Sequence, residues 1–125
     1  MSVDDVVITP MHVERRLFQL GKELDAAHDE LVECELTYMR AKAACEIAQA
    51  EKRMAVRQRF VEMGSKVTVQ EVEDKALVLT KDELTSLNVA EARVRAARSN
   101  VSRLKVQIDI ARSIGTSVRS SMEVS

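Results

Sequence analysis

Turn-forming residues are nearly missing from this chain. Its 125 residues include one proline, Pro10, and three glycines, Gly21, Gly64 and Gly115. A β-rich or α/β domain needs turn residues at roughly every tenth position, so both classes are excluded. Aromatics are as scarce: Phe18, Tyr38 and Phe60, with no tryptophan. Single-stranded nucleic acid is held by aromatics interleaved with basic residues, and this chain has few to offer. Cys34 and Cys45 are too few for a secreted disulfide framework and read as reduced thiols of an intracellular protein. No apolar run approaches the roughly 18 residues that cross a bilayer. The opening MSVDDVVITP carries acids where a signal peptide carries bases. A cytoplasmic protein with no membrane contact is expected. With a formal net charge of −1, no overall field recruits nucleic acid or an anionic surface.

What the chain has in quantity is Ala, Glu, Lys, Arg, Leu and Val, the composition of long helices. Residues 1–9 form an N-terminal extension. Thr9-Pro10 then signals a helix start, a hydroxyl cap followed by a proline whose missing N–H costs nothing there. Small or apolar residues follow at Val13, Leu17, Leu20, Leu24, Ala27, Leu31, Cys34, Tyr38, Ala41, Cys45 and Ala48, in steps that alternate 4 and 3 without exception. This is the seam of a left-handed coiled coil over about five heptads. Lys52 interrupts it, and the stripe resumes out of phase at Val56, Phe60 and Met63, an insertion of four that locally unwinds a supercoil. Gly64-Ser65 stops the first long helix, predicted over 10–63.

A connector with a short helix is predicted over 64–80. Thr68-Val69-Gln70-Glu71 and Thr80-Lys81-Asp82-Glu83 both have the capping-box pattern. The second opens a long helix over 81–122, with a seam at Leu87, Ala90, Val94, Ala97, Val101, Leu104, Ile108, Ala111, Gly115, Val118 and Met122. The β-branched run Lys66-Val67-Thr68-Val69 also suits a small hairpin at a tip, as in prefoldin-like chaperones, although no partner strand is evident.

Charge comes in blocks. Residues 22–36 carry a net of −5, 37–66 a net of +4, 67–92 a net of −4 and 93–119 a net of +6. Folding the chain back near 64–80 places each block opposite one of opposite sign. Individual exposed pairs contribute little, but flanking charge selects orientation. The expected architecture is all-α: an antiparallel coiled-coil hairpin with a short connecting helix, assembling into a helical bundle.

Two helices alone cannot bury a wide apolar face. A second stripe, Val106, Ile110 and Ile114, lies beside the seam of the last helix, and Phe18 and Met11 add apolar surface at the start of the first. Phe18, Val106, Ile110 and Ile114 are therefore the expected oligomer interface. The competing local reading has Val6-Val7-Ile8 and the short helix cover part of this surface.

Candidate chemistry is thin. Asp25-x-x-His28 resembles half of a di-iron bundle motif, but the further inward carboxylates such a site needs are missing apart from Asp109. Cys34 and Cys45 stand eleven residues apart, about 16 Å along a helix, too far for one metal or an intrachain disulfide. His12 has no nucleophile near it in sequence. The string Arg112–Ser121 offers hydroxyls and two arginines to an anion or a partner acid, or it is a fraying helix end. No catalytic residue, metal or cofactor is expected, so the chain reads as a non-enzyme. Arg53 and Arg57, with Arg93, Arg95 and Arg98, are the candidate nucleic-acid contacts. The alternative role of Arg53 and Arg57 is to face the acids at 67–92 within the hairpin, whereas Arg93, Arg95 and Arg98 are the bases least obviously neutralised.

The segment Glu14-Arg15-Arg16-Leu17, the string TVQEVEDKA from Thr68 to Ala76 and the closing IDIARSIGTSVRS resemble small helical proteins of tailed bacteriophages, especially those infecting actinobacteria. The resemblance spans most of the chain and implies expression in a bacterial host cytoplasm. It carries over no catalytic residue. The function expected is a self-associating helical hairpin that binds a protein partner, as a phage accessory or host-modulating factor. The alternatives are a nucleic-acid-binding accessory for recombination or replication, and a prefoldin-like holdase.

Overall fold

The structure, a computed structural model, describes residues 7–124. Three helices follow one another: α1 (Pro10–Glu62), α2 (Val69–Leu79) and α3 (Lys81–Val124). Among the described residues there is no strand, so the fold is all-α. The chain divides into two compact units, one of Met1–Leu31 with Ala96–Ser125 and one of Val32–Arg95.

In the first unit α1 packs against α3. Leu20, Ala27, Val101, Leu104 and Ala111 are buried together, and Leu17, Leu24, Leu31 and Ile108 pack against them. The early residue Val13 lies against the late residue Gly115, so the two helices run antiparallel. Every seam position here from Val13 to Leu31 and from Ala97 to Val118 is buried or half-buried. The stripe frays only at its last member, Met122, which is 60% exposed. Removing a leucine side chain from water contributes about 1.5–3 kcal/mol, and this row of apolar residues is the main source of cohesion in the unit.

In the second unit α1 is again antiparallel to α3: Ala44 is beside Asp82, and Thr37 is beside Val89 and Arg93. Cys45, Val56, Val72, Ala76, Ala90 and Val94 are buried. The change of phase predicted after Ala48 takes a different path from the sequence reading. Lys52 is exposed, while Gln49, Ala50 and Arg53 are half-buried before Val56 restores a buried apolar position. Arg53 can take an inward-facing place because its aliphatic stem packs while its guanidinium reaches Glu73 of α2 at 3.8 Å. Met63, expected in the stripe, is 65% exposed.

Helix ends explain the connections. Thr9 caps α1 in a reciprocal pair: the His12 N–H donates to Thr9 Oγ1 and the Thr9 N–H donates to His12 Nδ1, both at 3.3 Å. Histidine thus stands where a capping box usually has Glu or Gln. At the other end Gly64 adopts φ +67°. Its N–H reaches the Val61 carbonyl at 3.1 Å and the Ser65 N–H reaches the Phe60 carbonyl at 3.0 Å, the Schellman closure that favours glycine. Thr68 then caps α2, its Oγ1 accepting from the Glu71 N–H at 3.1 Å. Residues 65–68 belong to no strand and Val69 already begins α2. The hairpin weighed for 66–69 does not form, because Thr68 commits the chain to a helix start.

Thr80 departs from its sequence pattern. An N-cap needs extended backbone, whereas Thr80 has φ −111° and ψ 23°. Its hydroxyl turns back and donates to the Ala76 carbonyl at 2.8 Å. Thr80 is 0% exposed. It satisfies the last carbonyls of α2 while its own carbonyl accepts from the Leu84 N–H at 3.0 Å. A single residue therefore joins two helices.

Candidate interaction surfaces

Among the described residues, no group of three or more His, Cys, Asp or Glu is placed to hold a metal ion. Cys45 is buried and Cys34 half-buried, both as reduced thiols in the seam. Asp25 and His28 are exposed on α1. No described helix is long and apolar enough to cross a membrane.

In the first unit the four side chains expected to form an interface all face solvent. Phe18 is 67% exposed, Val106 56%, Ile110 54% and Ile114 40%. Lys22 holds its ammonium 4.6 Å from the centre of the Phe18 ring, a cation–π contact that leaves much of the ring uncovered. Val106, Ile110 and Ile114 follow one another at four-residue intervals along α3, outside the seam formed by Leu104, Ile108 and Ala111. Val7, Ile8 and Met11 are exposed as well, so they do not remove this surface from water. Val6 lies outside the described residues.

The second unit has an apolar groove of about 620 Å³ between the end of α1 and α2. Val56, Phe60, Met63, Val78 and Leu79 line it together with Arg59, Asp74 and Lys75. The Lys75 ammonium sits 4.5 Å from the Phe60 ring centre. Sequence reading missed this groove because Val78 and Leu79 fall outside any long-helix seam. Only the packing of a short helix on α1 brings them to Phe60.

The candidate nucleic-acid contacts divide. Arg53 is half-buried and bridged to Glu73, joining the second and third charge blocks as their signs suggest. Arg95 is held by Glu91, one turn earlier in α3, at 2.6 Å. Arg57 and Arg93 are exposed, and Arg93 borders a shallow cleft with Thr37, Thr85 and Ser86. Arg98 belongs to the other unit. The bases are thus partly matched by protein acids, locally at i,i+3 and i,i+4 spacing as well as between helices. Arg112 with Asp109 at 3.9 Å is a further local case.

The sequence pattern also left a longer feature unmarked. Val32, Leu36, Met39, Ile47 and Met54 are all exposed on α1 within the second unit. No protein-family model, curated protein or solved structure matches the chain.

Proposed function

We propose that this chain is a non-enzymatic helical hairpin that self-associates and works by binding a protein partner. The observation that supports the reading is the exposure of Phe18, Val106, Ile110 and Ile114, each 40% or more open to solvent beside a well-packed seam. A row of exposed apolar side chains such as Val106, Ile110 and Ile114, one turn apart on α3, marks a contact site, and burying such side chains between helices is the ordinary way that hairpins reach a bundle. Val106, Ile110 and Ile114 lie on one continuous helix within one unit, so association there needs little reordering of the backbone. The likeness of several segments to small helical proteins of tailed phages supports an accessory or host-modulating role in a bacterial cytoplasm.

Light scattering coupled to size exclusion tests this reading. The chain is expected to run as a dimer or larger, above its 14.0 kDa mass, and Ile110→Glu is expected to reduce that mass while leaving helical content unchanged. A wild-type chain that stays monomeric at micromolar concentration contradicts the reading.

A further inference from the structure

Capping boxes close on Glu or Gln, whose side-chain oxygens accept a hydrogen bond throughout the range around neutral pH. The first helix closes on a ring nitrogen instead. The Thr9 N–H donates to His12 Nδ1 at 3.3 Å, the His12 N–H donates to Thr9 Oγ1 at 3.3 Å, and the Val13 N–H donates to the Thr9 carbonyl at 3.3 Å. All three bonds of this turn meet at Thr9. As an acceptor Nδ1 carries no proton, so the neutral ring is protonated on Nε2. The other two helices start on groups that do not titrate: α2 on the Thr68 hydroxyl and α3 on the Thr80 carbonyl. Imidazole, by contrast, ordinarily changes charge between about pH 5 and 8.

We infer that His12 is an acid-sensitive latch on the start of α1: protonation of its ring releases the Thr9 N–H and loosens the turn that carries Val7, Ile8 and Met11. A protonated Nδ1 has no lone pair with which to accept, so that bond is lost outright. The new positive charge also stands in the first turn, at the positive end of the helix dipole. The latched form binds one proton fewer than the open form. The latch is therefore closed above the imidazole range and opens as pH falls through it. Val7, Ile8 and Met11 are 75, 50 and 57% exposed, so side-chain packing does little to hold this stretch once the cap opens. The inference is independent of the self-association proposed above.

On α1 itself the charged neighbours are Glu14, next in sequence but one, and Arg15 and Arg16, one turn further on; all three are exposed. The helix packed here is α3, through Gly115 against Val13, and it brings Arg119, whose Nη2 lies 3.7 Å from where a Cβ on Gly115 would stand. Arg112 and Glu123 are the other charged groups of α3 in this stretch, and Arg112 is within 3.9 Å of Asp109. Asp4 and Asp5 lie outside the described residues. Nearby charge sets how readily the ring takes a proton. It does not change the fact that an Nδ1–H cannot accept from Thr9.

Amide NMR on the full chain tests the latch between about pH 7.5 and 5.5, a window in which imidazoles charge while carboxylates ordinarily stay ionised. The Thr9 amide shift is expected to follow the titration of the His12 ring. Hydrogen-exchange protection of the His12 and Val13 amides is expected to fall about threefold on acidification, the order of effect that loss of a cap bond carries. His28, exposed within α1, is the internal control, and amides beside it are expected to keep their protection. His12→Gln supplies an acceptor that does not titrate and is expected to hold the protection at both pH values. His12→Ala is expected to lack it at both. Circular dichroism checks that each variant keeps its helices. A Thr9 amide indifferent to the His12 titration overturns the inference. So does the same acid-dependent fall in His12→Gln, or wild-type protection in His12→Ala.

Discussion

Gly115 of α3 lies so close to Val13 of α1 that a methyl group placed on the glycine would stand 2.9 Å from the valine Cγ1. Alanine is the better helix former by about 1 kcal/mol, yet here the contact opposes it. Valine is stiff at χ1 in a helix and cannot swing its methyl aside. Gly115→Ala is therefore expected to lower the melting temperature, with overpacking costing about 1–3 kcal/mol. Adding Val13→Ala makes room, and the double variant is expected to be less destabilised than the sum of the singles. A thermal-melt double-mutant cycle measures the coupling, and simple additivity would show that the contact has no energetic weight.

Leu20 is 1% exposed and central to the buried cluster of the first unit. Leu20→Ala is expected to cost about 2–5 kcal/mol in urea unfolding. Ile110→Ala, at a site 54% exposed, is expected to change the unfolding of dilute chain by less than about 1 kcal/mol. Equal losses at the two positions would contradict the division between seam and outer stripe.

Thr80 joins α2 to α3 with no side-chain exposure and a hydroxyl bonded to the Ala76 carbonyl. Thr80→Val keeps the shape and removes the donor, for an expected loss of about 1 kcal/mol. Thr80→Asp sets a carboxylate against the carbonyls of Ala76 and Leu77 without water, and its loss is expected to be several times larger. Chemical denaturation ranks the two, and the reverse order would show that the hydroxyl is incidental.

Arg53 and Glu73 form a partly exposed bridge between α1 and α2. Its coupling in a double-mutant cycle is expected to be below about 1 kcal/mol. Because Arg53 and Arg95 already have protein acids beside them, gel shifts at two salt concentrations are expected to show no tight, steeply salt-dependent retention of DNA or RNA. Strong retention at low salt that collapses at high salt would instead favour a nucleic-acid accessory.

Both long helices were legible because their seams repeat strictly over many turns, and the inward-facing residues of α3 follow that pattern from Leu87 to Val118. Gly64 and Thr68 were legible for a local reason, since cap chemistry involves residues only a few positions apart. Thr80 was misread: its sequence pattern fits an N-cap, but its conformation is set by the helix before it. The exposed apolar residues Val32, Leu36, Met39, Ile47 and Met54 of α1 carry no such signal, because they lie between the positions of the 4,3 seam and no partner helix in the chain buries them.

The order of the chain alone determined that this protein is helical, where its helices begin and stop, and which edge turns inward along α3 and along α1 as far as Ala48, because these depend on neighbours within one or two turns. Tertiary packing decided that Arg53 takes an inward position, that Val78 and Leu79 form a groove with Phe60, and that Gly115 must stay small beside Val13. Those outcomes depend on which side chains meet across helices, and spacing along one helix holds no record of the other.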